Sequence, residues 1–286
     1  MDPADLLAHS ECLDHSIVQP WQLPGLSHGF TSRAGGISRG AYATFNLADW
    51  IGDDSAAVAE NWRRWRAAYP AMKPVCLIQI HGDQVHVLDQ TYLNSAFPFP
   101  SGKGSGVRSP SAQEQRVRSL TGDGIVTRTP GVALCIFTAD CVPILLVDPI
   151  NRVVGALHAG WRGALADIAA VGVHAMVAQG ARPESIRAAL GPSIGICCFE
   201  VDSDLADRFV AEVPGSDRHT RPGLSGKAYL DLRAIVQNQL MIAGVDASRI
   251  TRIGPCTKCA NDRYFSRRAN AGAISGLQMS FVGFNA

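Results

Sequence analysis

The chain has 286 residues, of which 47% are hydrophobic and 18% are charged, so it can bury a large core in one large domain or two small ones. Its formal net charge of +1 gives no general electrostatic reason to expect nucleic acid or an anionic membrane as a partner. We therefore expect a globular protein that binds neither of them.

Two regions bear on where the protein resides. The amino-terminal segment carries acidic residues and no basic stretch followed by an apolar one, so we expect no signal peptide and a cytoplasmic location. The most apolar region, residues 132–147, is interrupted by Asp140 and Pro143 and is shorter than the about 20 apolar residues that a membrane span needs. It predicts two core strands instead.

The first part of the chain alternates loops with regular elements. Residues 28–46 are rich in glycine and polar side chains and predict a loop, either a surface connection or a segment where Arg33 and Asn46 meet substrate oxygens. Asp53 and Asp54 are suited to cap a helix over residues 57–69. Residues 94–119 are dense in Ser, Gly, Pro and Gln and predict a mobile excursion within the domain.

The second part predicts a hairpin followed by helices and strands. Strands through Leu134 and Leu145 are followed by a turn at residues 148–151, which leads into a strand at residues 153–157. Further predicted elements are helices at residues 164–179, 204–213 and 230–243, strands at residues 186–190 and 250–253, and a loop at residues 214–226.

Three candidate metal ligands, His81, Cys141 and His158, each lie where an apolar strand-like run gives way to a turn. Two imidazoles and a thiolate match the catalytic zinc pattern, in which three protein ligands leave a fourth position open. Such an ion would acidify bound water or polarise a substrate. Taken singly, each side chain is more typical of a hydrogen-bonded or apolar core, and His86 and His174 have no comparable context.

Two polar residues adjoin these candidates. Asp140 precedes Cys141 and is a candidate hydrogen-bond acceptor or proton carrier, although regular strand alternation would point it to the opposite face. Arg162 follows His158 by four residues at a predicted helix start, where a guanidinium and free backbone N–H groups favour an anion such as phosphate. The neighbouring Trp161 suits either base stacking or a half-buried core position.

The eight cysteines are not expected to form disulfides, because the chain is long, lacks an export signal and places Cys76 and Cys135 inside apolar runs. Cys256 and Cys259 form one Cys-x-x-Cys pair without a second pair. We therefore expect no structural zinc site there, and a redox pair receives only weak support.

Over nearly its whole length, the chain resembles the laccase-domain, or YfiH-like, family, also called multicopper polyphenol oxidase-like proteins. The motifs that carry the resemblance are His28-Gly29-Phe30-Thr31-Ser32-Arg33, Gln79-Ile80-His81-Gly82, Asp123-Gly124-Ile125-Val126-Thr127, Thr138-Ala139-Asp140-Cys141, His158-Ala159-Gly160-Trp161-Arg162-Gly163, Leu190-Gly191-Pro192 and Phe265-Ser266-Arg267-Arg268. The resemblance implies one catalytic domain over residues 1–286. Its fold would be α+β, with mixed β-sheets packed face to face and helices on the outside.

The resemblance also implies that His81, Cys141 and His158 bind Zn²⁺. It implies a purine nucleoside phosphorylase with additional adenosine deaminase activity, whose partners are a purine nucleoside and phosphate. Adenosine, inosine or methylthioadenosine would yield the base and a ribose 1-phosphate. Under this hypothesis, Arg162 helps to hold anionic oxygens, and Arg33 is a second candidate for the same role.

Alternatives to the phosphorylase remain open. The older family name implies copper-dependent phenol oxidation and makes Cu²⁺ a second candidate ion, but one three-ligand site is far short of a multicopper array. A likeness to a cysteine-histidine deamidase suggests an amide hydrolase with Cys141 as nucleophile and His158 as base, and related proteins have been linked to editing of peptidoglycan precursors. Residues 275–278 depart from the family, where arginine commonly follows the glycine; oligomeric state is not predicted.

Overall fold

Two large β-sheets form the centre of the computed structural model, which describes residues 14–96 and 120–286. The strands are β1 (His15–Ser16), β2 (Leu26–Thr31), β3 (Lys73–Cys76), β4 (Val85–Leu88), β5 (Gly124–Thr127), β6 (Val132–Thr138), β7 (Val142–Asp148), β8 (Val153–Ala159), β9 (Arg187–Leu190), β10 (Glu200–Asp202), β11 (Thr220–Pro222), β12 (Lys227–Leu230), β13 (Ile250–Arg252) and β14 (Gln278–Phe284). The helices are α1 (Ser55–Ala68), α2 (Gln90–Ala96), α3 (Trp161–Leu165), α4 (Ile168–Ala178), α5 (Ser203–Glu212) and α6 (Leu232–Ile242).

Both large sheets are mixed. The first has the order β1-β2-β14-β6-β3, the second has the order β13-β9-β7-β8-β5-β4, and a small third sheet has the order β10-β12-β11. The pairs β3 with β6, β4 with β5 and β9 with β13 are parallel, whereas the other pairs of named strands are antiparallel.

Strand alternation divides the buried side chains into layers. In β6, Leu134 and Ile136 belong to the core between the two large sheets, whereas Cys135 and Phe137 face the opposite way. The outward side chains of this sheet pack against Trp62 of α1. Helices α4, α5 and α6 cover the outer face of the second sheet. The predicted α+β class, with mixed sheets packed face to face and helices outside, is therefore confirmed.

Two connections carry the chain from the first large sheet to the second. The segment between β3 and β4 contains His81, and the segment between β6 and β7 contains Cys141. His158 lies on β8, where it pairs with Pro143 of β7, and Cys141 directly precedes β7, so the two residues are at neighbouring strands as predicted. The crossing connections thus bring two of the candidate ligands to the same end of the sheet sandwich.

Several predicted boundaries were wrong, for reasons of tertiary pairing. The predicted loop at residues 28–46 begins inside β2, which pairs with β14 on one side and β1 on the other. The predicted loop at residues 214–226 contains β11, paired with β12. The helix predicted over residues 230–243 begins in the structure at Leu232, because Leu230 belongs to β12.

The helix predicted over residues 164–179 is two helices, α3 and α4. Asp167 lies between them with a φ of 57°, in the left-handed region, which interrupts the helical path. Its carboxylate accepts a hydrogen bond from the Ala170 N–H at 3.2 Å and so caps α4. Asp54 caps α1 in the same way, as predicted, by accepting from the Ala57 N–H at 2.8 Å.

The excursion predicted at residues 94–119 lies outside the described residues except for its first three positions, which end α2. Within the described part of the chain, every helix is too short or too polar to cross a bilayer.

Candidate metal centre

The structure brings His81, Cys141 and His158 together. One potential ligand atom from each residue lies within 4.8 Å of the others. The two imidazole rings are nearly perpendicular, at an interplanar angle of 82° and a centroid separation of 4.8 Å. The three donors therefore converge on a single point, as a mononuclear metal site requires.

The Asp123 carboxylate fixes the backbone around His81. It accepts hydrogen bonds from the N–H groups of Ile80 at 3.2 Å, His81 at 3.0 Å and Gly82 at 2.7 Å. His81 has a φ of 63°, which is unfavourable for a residue with a side chain, so external contacts are needed to hold it. The sequence placed His81 just beyond a strand, but β3 already ends at Cys76 and the Asp123 contacts take over.

The same carboxylate orients His158. The Nδ1 atom of His158 lies 2.7 Å from Oδ1 of Asp123, and the His158 N–H donates to the Asp123 carbonyl at 2.7 Å. In the neutral ring, with the Nδ1 proton donated to Asp123, the lone pair of Nε2 is available to the site. His158 lies within β8 and not after its end as predicted, because the β7–β8 ladder continues to Ala159.

Cys141 is positioned through its neighbour Asp140, which has a φ of 88°. The Asp140 carboxylate accepts from the Thr257 hydroxyl at 2.6 Å and from the Arg268 N–H at 2.7 Å. Its carbonyl accepts from the Ile194 N–H at 2.8 Å. Asp140 thus anchors the turn that carries Cys141, because it binds two loops that are distant in sequence.

The electrostatics of the site favour a thiolate. Burial raises the pKa of the Cys141 thiol, but the His158 imidazolium and hydrogen bonds from both histidines lower that pKa to about 6. Burial lowers the pKa of His158, whereas the Cys141 thiolate and the Asp123 carboxylate raise it to about 9. A thiolate is the form in which cysteine binds metal ions.

The space around the donors also fits an ion. Gly160 lies against all three side chains, and a Cβ atom there would be 3.1 Å from Cδ2 of His81 and 3.3 Å from Sγ of Cys141. The donor set, its convergence and the Asp123 contact behind His158 together match a three-ligand zinc site.

The three donors open into a cavity of about 380 Å³. Its wall is mainly apolar and aromatic, with a few polar groups, which is typical of small-molecule sites. The residues that line it are Trp50, Ile51, Gln79, His81, Phe137, Thr138, Ala139, Cys141, His158, Arg267, Ile274, Ser275 and Leu277. Trp50 and Phe137 meet edge to face at a centroid distance of 5.0 Å.

The other predicted substrate residues lie outside this lining. Arg33 donates to the carbonyls of Ala43 and Asn261 and lines a separate cavity of about 250 Å³. Asn46 is buried, and its amide oxygen accepts from the Leu277 N–H at 3.1 Å. Arg162 is exposed at the start of α3, with its guanidinium 4.3 Å from the Trp161 ring centroid.

Two important residues were not identified as site residues from sequence. Asp123 was named only as part of the motif at residues 123–127, because nothing in the local pattern links it to His81 or His158. Arg267 contributes the cationic side chain of the cavity lining, and the motif at residues 265–268 was the available signal for it. His28, the first residue of the motif at residues 28–33, belongs to the core, where its Nε2 accepts from the Val18 N–H at 3.0 Å.

Comparisons with known proteins agree with this architecture. The model of the family described as multi-copper polyphenol oxidoreductase laccase matches residues 27–285. Purine nucleoside phosphorylase YlmD of Geobacillus stearothermophilus is 34% identical over 267 residues, which cover 91% of this chain and 90% of that protein. Adenosine deaminase RL5, from an unknown prokaryotic organism, is 35% identical over 242 residues, which cover 83% and 86%.

A solved structure has the same fold. The crystal structure of the hypothetical protein YfiH from Bacillus licheniformis superposes with a TM-score of 0.82 at 26% identity and covers 96% of this chain and 98% of that one. The family match and the relatives both extend over most of the chain, and the YfiH structure has the same fold. The chain therefore belongs to the multi-copper polyphenol oxidoreductase laccase family and has its YfiH-like architecture.

Proposed function

We propose that the chain is a zinc-dependent purine nucleoside phosphorylase with adenosine deaminase side activity. The observation that carries the proposal is the convergence of His81, Cys141 and His158 at an aromatic cavity that also contains Arg267. The names of the relatives YlmD and RL5 support the same reaction classes. Adenosine, inosine and methylthioadenosine are the proposed nucleosides, and phosphate is the second substrate.

His81, Cys141 and His158 would hold Zn²⁺, with Asp123 orienting His158 from behind. The ion, when bound, supplies Lewis acidity at its open coordination position. Asp123 also maintains the turn at His81 through three backbone hydrogen bonds, so one carboxylate positions two of the three donors.

The cavity wall suits a nucleoside. Trp50, Phe137 and Leu277 offer apolar and aromatic surface for a purine, whereas Arg267 offers a guanidinium for phosphate oxygens. In phosphorolysis, a phosphate oxygen bonds to C1′ of the ribose while the bond from C1′ to the purine nitrogen breaks and its electron pair leaves with the base. Bringing the anion and the nucleoside together in one cavity is the main contribution of these residues.

The remaining candidates keep a supporting role in the proposal. Arg162 is exposed, follows His158 by four residues, and is proposed to contact anionic oxygens of the substrate. Asp140, Asn46 and Arg33 are proposed to act through the loops that they hold, because their side chains already make hydrogen bonds to those loops.

A cysteine hydrolase is the second candidate, because Cys141, His158 and Asp123 are connected in that order. The Cys141 pKa of about 6 and the Asp123–His158 distance of 2.7 Å are typical of a thiolate nucleophile with an oriented base. An amide, including one in a peptidoglycan precursor, would be the substrate. His81 distinguishes the candidates, since the hydrolase reaction does not require it.

The test combines metal analysis with chromatography of adenosine incubated with and without phosphate. The phosphorylase proposal expects adenine only when phosphate is present, and loss of turnover in Cys141→Ala and in His81→Ala. A Cys141→Ala variant without activity beside an active His81→Ala variant, with turnover blocked by alkylation, would support the hydrolase instead. Copper with phenol oxidation and no adenine would support the oxidase that the family name describes.

A further inference from the structure

Four cysteines outside the candidate metal centre lie together. Cys197 and Cys198 are on the loop between β9 and β10, and Cys256 and Cys259 are on the loop after β13. The sequence offered no second pair for Cys256 and Cys259, and the structure supplies one from about sixty residues away. All four sulfur atoms lie within 4.8 Å of one another.

The sulfur separations fit a shared ion better than a disulfide. The Sγ atom of Cys259 lies 3.6 Å from that of Cys197 and 3.5 Å from that of Cys198. A disulfide requires about 2.05 Å between sulfurs. In a tetrahedral zinc site with Zn–S bonds of about 2.3 Å, the sulfurs are about 3.8 Å apart. The four thiols are therefore grouped at the spacing of a mononuclear site.

The backbone around the cluster is arranged to support thiolates. The N–H groups of Gly195 and Cys259 donate to the sulfur of Cys256. Gly195 also leaves space for the cluster, since a Cβ there would lie 3.3 Å from Cβ of Cys256 and 3.4 Å from Sγ of Cys197. Charge-assisted N–H to sulfur contacts stabilise metal thiolates in the same way as other hydrogen bonds to ligands.

The two loops are also held together independently of the sulfurs. Ser193 and Cys256 form a parallel β-bridge. The Arg233 guanidinium donates to the Ser193 hydroxyl at 2.9 Å and to the Gly254 carbonyl at 2.9 Å, and so clamps one loop to the other. The cysteines are therefore brought together by the fold, and an ion would find the site largely formed.

We propose that Cys197, Cys198, Cys256 and Cys259 bind one Zn²⁺ ion as a structural tetrathiolate site. The single-ion spacing, with all four sulfurs within 4.8 Å of one another, argues against an iron–sulfur cluster, in which the four thiolates are divided between two irons or bind four different irons. Four protein ligands leave no open position, so the site stabilises structure and does not perform chemistry. Lys258, between two of the ligands, and Arg268, which donates to the Cys198 carbonyl, partly offset the negative charge.

The structural role is to fasten the loop that reaches the candidate metal centre. Thr257 lies between Cys256 and Cys259, is fully buried, and donates to Asp140 at 2.6 Å. Asp140 adjoins Cys141. The same loop continues to Arg267, in the cavity wall. Loss of the tetrathiolate ion would therefore loosen both the turn at Cys141 and the side of the cavity that carries Arg267.

The first test is a zinc count per chain on protein purified without a metal-binding tag. Two zinc ions are expected in the wild type, and one in Cys256→Ser/Cys259→Ser. One ion is also expected in His81→Ala/Cys141→Ala, which leaves the tetrathiolate intact. Cys76→Ala is the matched control, because Cys76 is outside both clusters, and it should keep two ions. No zinc in His81→Ala/Cys141→Ala would overturn the proposal.

The second test remains valid if Cys256→Ser/Cys259→Ser fails to fold. His81→Ala/Cys141→Ala is stripped of metal under reducing conditions and titrated with Co²⁺. The expected result is one equivalent of Co²⁺ bound per chain. The bound ion should show the intense visible absorption bands of tetrahedral Co²⁺ and the sulfur-to-cobalt charge-transfer bands of four thiolate ligands. Binding without charge transfer, or a native disulfide between any two of the four cysteines by non-reducing mass spectrometry, would contradict the proposal. Both outcomes are independent of phosphorylase activity.

Discussion

Asp123 and His158 form the most buried polar pair of the candidate metal centre, with 2.7 Å between Oδ1 and Nδ1 and almost no exposure of either residue. Burial raises the pKa of Asp123, but the hydrogen bond from His158 and those from the backbone at Gly82 and His81 hold it below its ordinary value. The carboxylate therefore stays ionised, and it fixes which nitrogen of His158 faces the site.

Replacing this carboxylate should weaken metal binding more than it weakens the fold. In Asp123→Asn the side chain keeps its size but loses its charge and one acceptor oxygen, so His158 and the turn at His81 lose their fixed orientation. We expect zinc affinity to fall about 10-fold to 100-fold, the range typical of such outer contacts. Competition with a chromophoric chelator measures the change.

Asp148→Asn is the control for that substitution. Asp148 is also fully buried and accepts hydrogen bonds from Asn151, Ser185 and Arg182, but at the hairpin end of β7. We expect a loss of about 2 kcal/mol of folding stability with zinc affinity unchanged. Equal effects of the two substitutions on zinc affinity would refute a specific role for Asp123.

Gly160→Ala should disturb the donors without straining the backbone. Gly160 has φ −73° and ψ 173°, which alanine adopts readily, so the cost comes from the contacts of the new methyl group with His81 and Cys141. We expect zinc affinity to fall severalfold while the melting temperature of the metal-free protein changes little. Gly82→Ala is the control, since its methyl group would meet neighbours at an ordinary 3.6 Å. Equal zinc affinities of the two variants would contradict this account.

We expect the free energy of unfolding to depend on pH through His28, which lies outside the metal centre. Burial lowers its pKa from 6.5 to about 4. The unfolded chain therefore takes up a proton below about pH 6.5, while the folded protein resists until about pH 4, so stability is lost as pH falls through that window. The total effect is about 3 kcal/mol.

Denaturant unfolding at several pH values tests this prediction on metal-free protein. His28→Gln should be less stable than the wild type near neutral pH, because the ring packing against Trp21 is lost. The difference between the two proteins should shrink from pH 6.5 to pH 4. A constant difference across that range would show that His28 does not titrate with the expected pKa.

The side chain of Asn61, on α1, holds the polar loop at residues 37–46 in place. Its amide donates to the hydroxyl of Ser38 and to the carbonyls of Thr44 and Asn46, while its oxygen accepts from the Ile37 N–H. Asn61→Ala removes these four hydrogen bonds, although the Thr44 carbonyl still accepts from the Ser38 N–H, and we expect a loss of about 3 kcal/mol of stability.

The same variant should also affect the substrate, because the chain continues from this loop to Trp50 in the cavity wall. We expect a higher KM for adenosine with a smaller change in kcat. Asn238→Ala removes a single hydrogen bond, to the Pro214 carbonyl, and should cost about 1 kcal/mol without a change in KM. Equal effects of the two variants on KM would contradict the organising role of Asn61.

Local signals predicted the elements that local contacts define. Helix α1 follows from its Asp54 cap, and the β7–β8 hairpin follows from Asp148, whose carboxylate accepts from the Ile150 and Asn151 N–H groups within the turn. Strand β2 was missed because the hydrogen bonds that make it a strand come from β14, at the other end of the chain. A glycine-rich composition cannot indicate such a partner.

The same distinction applies to the site. His81, Cys141 and His158 were recognisable because each is adjacent to a strand-like run. Cys141 directly precedes β7 and His158 lies on β8, and a short turn joins these two strands. Asp123 had no such marker, since its four hydrogen bonds cross from one segment to another. The pairing of Cys256 and Cys259 with Cys197 and Cys198 likewise depends on the tertiary fold, which a spacing rule does not contain.

Because two donors lie on connections between the large sheets, metal binding at this centre depends on the two sheets having packed together. His81 and Cys141 lie where the chain passes between the two large sheets, so their donor atoms meet only after both sheets have docked. An ion that binds there selects the fully assembled protein over every partly folded form, and raises its stability by an amount that grows with free zinc. Refolding followed by zinc-dependent fluorescence would then report when the two sheets dock.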